Sequence, residues 1–160
     1  VSGLAFGYDR AAFAELRHRV RGMRERAQDV TPAWDALLDW FAEQERRQWA
    51  GRGARWRDPW APLAPSTLAE KHRLGYPLNP LVRTTRLRTS LTQRPFGVEH
   101  MTPHAVTAGT RVTYAKFHQT GTRFMPRRIL FSPERIRREE VATRTIANWI
   151  IHGRAETGTR

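Results

Sequence analysis

The chain has 160 residues, of which 39% are hydrophobic and 27% charged, with no cysteine. That length suits one ordinary domain with its own apolar core, and the lack of cysteine excludes disulfides, thiolate zinc sites and thiol catalysis together. The net charge is +13, from 28 Lys+Arg against 15 Asp+Glu, which brings nucleic acid to mind as a partner.

The charge is uneven along the chain. Residues 1–50 hold eight Arg and eight Asp/Glu and sum to zero, while residues 51–160 hold 20 basic and 7 acidic groups and carry the whole excess. Only Lys71 and Lys116 are lysines, and arginine serves protein interfaces as well as phosphate. No apolar stretch approaches the roughly 18 residues that cross a bilayer, and VSGLAFGYDR lacks the apolar core of a secretory signal. A soluble chain made in the cytoplasm, without a membrane partner, is expected.

Residues 9–29 place Phe13, Leu16, Val20, Met23 and Ala27 at spacings of three and four, a narrow apolar stripe on a helix with core packing as its expected role. Arg10, Arg17, Arg21, Arg24, Glu15 and Glu25 take the other face. Thr31 before Pro32 reads as an N-cap, and Trp34, Leu37, Leu38, Phe41 and Ala42 give a second amphipathic helix to about Trp49. Residues 9–49 are therefore expected to form a helical hairpin.

Residues 50–65 (AGRGARWRDPWAPLAP) are too rich in Pro and Gly for regular structure and read as a loop pinned by Trp56 and Trp60. Residues 66–152 then form the rest of a single α+β domain. Thr67 with Glu70 makes a capping box for a short helix ending before Gly75, and PLNP at 77–80 punctuates the chain. A short helix over 84–91 should bury Leu87 and Leu91. Phe96, Val98 and His100 alternate, Thr102-Pro103 signals a turn, and 105–110 continues with small and β-branched residues, which predicts an antiparallel hairpin. A one- or two-turn helix is expected at 113–119, a flexible tract at 120–126 and a strand at 128–131. Ser132-Pro133 repeats the cap-plus-proline start, and the rows Val141, Thr145, Trp149 and Ala142, Ile146, Ile150 predict a C-terminal helix to His152 with Trp149 in the core. Residues 153–160 read as a mobile tail.

Catalytic signals are scarce. His100, His104 and Glu99 would suggest metal ligands on a helix, but Pro103 and the hairpin pattern remove the i, i+4 geometry. Phosphate-loop, dinucleotide and hydrolase-elbow motifs are absent, and seven carboxylates after residue 50 are few for a two-metal nuclease. No cofactor, metal or small-molecule substrate is expected, and no catalysis. Glu139 and Glu140 are expected on the outer face of the last helix, pairing with Arg135 and Arg144. Nonspecific DNA binding remains open through RWRDPW and RIRRE, which interleave Arg with aromatics or line up cations.

A longer succession of motifs carries more information. It runs W-A-P-L (Trp60 to Leu63), Thr67 and Lys71, Leu81, T-x-L-x-x-S-L (Thr85, Leu87, Ser90, Leu91) and A-G-T (Ala108 to Thr110). Y-A-x-x-H-Q-x-G (Tyr114, Ala115, His118, Gln119, Gly121) and P-x-R-x-L (Pro126, Arg128, Leu130) complete it. Over roughly residues 56–132 the chain resembles the phage virion morphogenesis family, which includes the Mu-type and tail-completion proteins of tailed bacteriophages. It departs from the family at Arg86, where Gly usually precedes the leucine of the middle motif, and in lacking Gly just after P-x-R-x-L.

The resemblance implies an α+β subunit with a small antiparallel sheet flanked by helices, acting structurally in the virion, at the head-proximal end of the tail or in the neck. Such a tail terminator or head–tail joining component would form a ring of about six subunits and meet other tail or connector proteins, with DNA possible in the lumen. Tyr114 and Phe117 share a helical face and are expected in the core, with Tyr114 and Gly121 also candidates for a subunit or partner contact. Gly121 permits a positive φ. His118 with Gln119 suits hydrogen bonding to the neighbouring strand or a partner contact. Arg128 suits an anchor within the subunit or an ion pair between subunits, and Arg127 beside it is a further interface candidate. Phe124 and Met125 are adjacent apolar residues in a flexible tract, and burial against a neighbouring subunit is favoured over burial in the core. Trp60 with Leu63 is expected to pack on the core, together with Leu87 and Leu91.

Overall fold

The computed structural model describes residues 7, 9–56, 58–131 and 135–158. Helices α1 (Arg10–Gln28) and α2 (Thr31–Ala50) come first, then a 3-10 turn at Ala54–Trp56, α3 (Pro65–Arg73) and α4 (Arg86–Thr92). Strands β1 (Val98–Thr102) and β2 (Ala105–Gly109), α5 (Ala115–Thr120) and α6 (Arg135–His152) follow. The fold is α+β, with N-terminal helices, a small antiparallel sheet and a C-terminal helix. Among the described residues no helix is long and apolar enough to cross a membrane. The side chain of Trp56 and the helix start at Ser132-Pro133 lie outside the described residues, as do the side chains of Arg135 to Arg137.

Helix α2 is the axis of the structure. Its first turn holds Pro32, whose missing amide costs nothing there, and the Asp29 carboxylate accepts from the Thr31 amide at 2.9 Å. Val30, and not Thr31, occupies the cap position, so the acid two residues earlier does the capping. Along α2, Ala33, Leu38, Trp40, Ala42 and Trp49 are buried. This helix meets α6, α4 and β1.

Two apolar clusters flank that axis. Trp49, Trp60, Val82, Leu87, Leu91, Val112, Ala115 and Leu130 form the larger. In it the Trp49 and Trp60 rings meet edge to face at 5.1 Å. Leu38, Ala42 and Phe96 form the smaller, under the sheet, with Met101, Val106 and Ala108 on its margin. Phe41 joins the two, edge-on to Phe96 at 5.5 Å and stacked on Phe131 at 6.0 Å. As expected, Trp60, Leu87 and Leu91 are buried. Leu63 and Trp149 are only half-buried. Leu63 stands at the lip of a cleft, and Trp149 bridges α6 and α1, with its indole N–H donating to the Arg26 and Asp29 carbonyls at 3.2 and 2.9 Å.

The hairpin pairs Val98 with Gly109 through Thr102 with Ala105, around a Pro103-His104 turn. Thr102 Oγ1 closes that turn by accepting from the Ala105 amide at 3.0 Å. Arg94 fastens the sheet to α2, donating to Asp35 (2.9 Å), Asp39 (3.0 Å) and Glu99 (2.8 Å). The hydrogen bond from Arg94 holds the Glu99 carboxyl below its ordinary range, helped by the Phe96 amide.

Four sequence expectations are corrected. The capping box at Thr67 and Glu70 does not form, because α3 starts earlier, with Ala64 as cap and Pro65 in the first turn. Residues 128–131 are not a strand. Where a ladder partner would stand, Gln119 takes the Leu130 and Phe131 amides at 2.8 and 3.0 Å. Tyr114 and Phe117 are exposed, because α5 buries Ala115 on its inner side instead. The apolar stripe of α1 does not build core either: no residue of α1 is buried.

Candidate functional site

The residues that carry the sequence motifs meet in one frame, and their polar groups are spent on one another. Arg128 is buried and donates to the carbonyls of Ala61 and Pro62, both at 3.0 Å, so P-x-R-x-L grips W-A-P-L. The grip is returned by Trp60, whose indole N–H donates to the Ile129 carbonyl at 2.8 Å. The same carbonyl accepts from Gln48 of α2 at 3.0 Å. Arg128 is thus an anchor within the chain.

Y-A-x-x-H-Q-x-G docks on the same segment. The His118 carbonyl accepts from the Arg128 amide at 2.7 Å, and the Gln119 side chain spans Leu130 and Phe131. The imidazole of His118 takes no part: its Nδ1 is buried without a hydrogen-bond partner. Burial first, and the charge of Arg128 second, lower the His118 pKa, so the ring is neutral at physiological pH. Tyr114 stands edge-on to it at 5.9 Å. In the middle motif Ser90 Oγ meets Thr110 Oγ1 of A-G-T at 2.7 Å, which ties α4 to the end of β2. The left-handed residue of this motif is Thr85 (φ 60°), while Arg86 is already helical, so a side chain is admissible at position 86.

Lys71 shows the same economy. Its ammonium donates to the carbonyls of Pro77, Asn79 and Val82 at 2.6, 2.7 and 2.6 Å, knotting the P-L-N-P turn onto α3. Burial lowers its pKa. Lys71→Met should destabilise the chain by about 2 kcal/mol, since three carbonyls lose a charged donor, and Lys71→Arg should not restore the loss because a planar fork cannot serve three converging acceptors. Urea midpoints of the three proteins would check this.

The tract after α5 is a closed turn and not a loose one. Gly121 sits at φ 77°, where a Cβ would stand 3.0 Å from the Arg127 amide nitrogen. Thr122 and Met125 then exchange both backbone hydrogen bonds, at 2.9 and 3.3 Å, leaving Arg123 and Phe124 at the tip. Phe124 is 90% exposed and Met125 half-buried. Arg127 is exposed and pairs with Asp58 at 2.9 Å. Of the proposed interface residues, Phe124 therefore projects furthest, while Gln119 and Arg128 are committed inward.

Concavities accompany this frame. A cleft of 470 Å³ is bordered by Leu63, Lys71, Arg83, Arg86, Tyr114 and His118. A groove of 360 Å³ runs between α2, β2 and the first half of α6, floored by Leu37, Phe41, Val106, Ala108, Phe131 and Ala142. Among the described residues no group of three or more His, Cys, Asp or Glu side chains is placed to hold a metal ion. His100 lies on β1 and His104 in the turn that follows.

Sequence reasoning missed the buried polar groups of α2. Glu45 and Gln48 are fully buried, and both Glu45 oxygens and Gln48 Oε1 lack partners. Burial pushes the Glu45 carboxyl up to about 8, against the opposing pull of the Arg138 charge. The signal was present: Glu45 continues the row Leu38, Ala42, Trp49 at helical spacing. No family model, no curated protein and no solved structure matches the chain.

Proposed function

We propose that the chain is a structural subunit of a tailed bacteriophage virion, a tail-completion or neck component that works as a homo-oligomeric ring of about six copies. The observation that carries this reading is how the motif side chains are used. Arg128, Gln119, Lys71 and Ser90 bond to carbonyls, amides or a hydroxyl of the same chain, and so brace a frame instead of facing a ligand. The proposal assigns no reaction to the protein. Outward, the frame presents Phe124 at the tip of its turn, with the Arg123 guanidinium 5.5 Å from the ring centre.

Phe124→Asp tests the reading. A residue so exposed contributes little to the fold, so melting should shift by no more than about 0.5 kcal/mol equivalent, while light scattering should show the ring reduced to monomers. An intact ring would remove the turn from assembly, and global unfolding would place Phe124 in the core. Labelled subunits should appear at the joint between head and tail in electron micrographs of virions.

The second reading, nonspecific DNA binding, is favoured by the excess of arginine after residue 50. Retention on DNA that persists at physiological salt would support it, and release there would leave the structural reading ahead.

A further inference from the structure

The polar groups of the frame are spent on one another, but those around the 470 Å³ cleft are not. Residues 83–86 (Arg-Thr-Thr-Arg) line it, and all four are exposed. The side chains of Thr84, Thr85 and Arg86 have no hydrogen-bond or ion-pair partner among the described residues. Arg83 lies over the Tyr76 ring at 4.9 Å and reaches Glu70 at 3.8 Å, a pair open to water at both ends that holds its guanidinium only weakly. Tyr114 and His118 line the cleft too, and neither the phenol hydroxyl nor the imidazole is hydrogen-bonded among the described residues.

The charge at the cleft is one-sided. Among the described residues no carboxylate lines it, whereas Lys71, Arg83 and Arg86 do. The Lys71 ammonium is saturated by its three carbonyls, so it gives the cleft charge and no free donor. Burial first and the Arg83 charge second lower its pKa, as happens when cations are drawn together without an anion between them. The backbone is held unusually as well. Leu81 and Thr85, both lining residues, sit at φ 62° and 60°, where a bulky or β-branched side chain is strained. Strain of this kind gathers at ligand sites.

We propose that this cleft binds a phosphate ester, with its phosphate on Arg83 and Arg86 and its organic body against Leu63 and Leu81. Guanidinium forks with threonine and tyrosine hydroxyls are a donor set that takes phosphate oxygens, and a phosphate offers more oxygens to them than a carboxylate does. A cleft of 470 Å³ exceeds a bare phosphate, and its apolar walls suit the rest of an ester. The ester is either free, as in a nucleotide, or a link in a nucleic-acid strand. The site is complete within one chain, so it goes beyond the ring reading above and does not depend on it.

Calorimetric titration of the full-length chain at about 0.05 M salt, where screening is weak, tests the proposal with deoxyadenosine monophosphate, deoxyadenosine and a short single-stranded DNA. The monophosphate should bind at least about tenfold more tightly than the nucleoside. Arg86→Gln should weaken it about tenfold or more, and Arg83→Gln likewise. Arg86 is exposed and its side chain bonds to nothing among the described residues, so that loss is not one of folding. Arg111→Gln removes the same charge from an exposed site outside the cleft and should leave the affinity within about twofold. A DNA affinity that falls with Arg86→Gln assigns the ester to a strand, and a fall confined to the monophosphate assigns it to a free ester. Equal binding of nucleoside and monophosphate would overturn the proposal. So would any result in which Arg86→Gln costs no more than Arg111→Gln, since attraction would then be diffuse and due to the net +13. Absence of binding by monophosphate and DNA alike would do the same.

Discussion

Glu45→Gln should make the protein more stable at neutral pH, by about 3 kcal/mol at pH 7. The carboxyl is fully buried between α2 and its neighbours, neither oxygen has a partner, and burial holds its pKa near 8 against an ordinary 4.5. An acid whose folded pKa is raised binds its proton more tightly in the folded state than in the unfolded chain. Its contribution is therefore complete below pH 4.5 and is lost as the pH rises to about 8. The slope across that window is about 1.4 kcal/mol per pH unit. Glutamine keeps the shape, carries no proton to lose, and offers an amide to the unpartnered Gln48 Oε1 three residues on. Denaturant titrations from pH 4 to 9 should show the wild type weakening and the variant level. Parallel curves for the two proteins would mean that Glu45 is ionised and paired in the folded chain.

Trp60→Ala should cost about 3–5 kcal/mol, at the upper end for a single core truncation. The indole is buried, meets Trp49 edge to face at 5.1 Å, and holds the Ile129 carbonyl at 2.8 Å. It is also seated closely from below. Gly53 has φ 91°, and a Cβ there would stand 2.5 Å from Trp60 Cδ1 and 2.6 Å from its backbone nitrogen. Alanine would open a cavity and leave a carbonyl shared only with Gln48. Trp60→Phe separates the two losses: it keeps most of the apolar contact and gives up the hydrogen bond, so about 1–2 kcal/mol should suffice. A melting curve unchanged by Trp60→Ala would show that the 50–65 segment is not bound to the core through its tryptophan.

The strongest periodicities were legible in the sequence. The end of α6 at His152, the hairpin and the burial of Leu87 and Leu91 all follow from local patterns that tertiary packing reinforced. Helix α1 was legible as a helix but not in its use, since a 3.6-residue period tells which side is apolar and not what covers it. The segment 128–131 was read as a strand and forms none. Gln119 supplies the partners of its Leu130 and Phe131 amides, a long-range substitution that no local pattern reports. The same holds for Arg128 and Lys71, whose acceptors are bare carbonyls and therefore invisible to a reading of side chains.

The lock between α1 and α6 has a consequence for synthesis on the ribosome. The bond from Arg26 to Ile150 spans 124 residues. At about 5–20 residues per second, the anchor emerges roughly 6–25 s after the helix it holds. Through that interval α1 lacks the α6 contacts that fix its last turn. The last turn of α1 is therefore held in place only once α6 has been made.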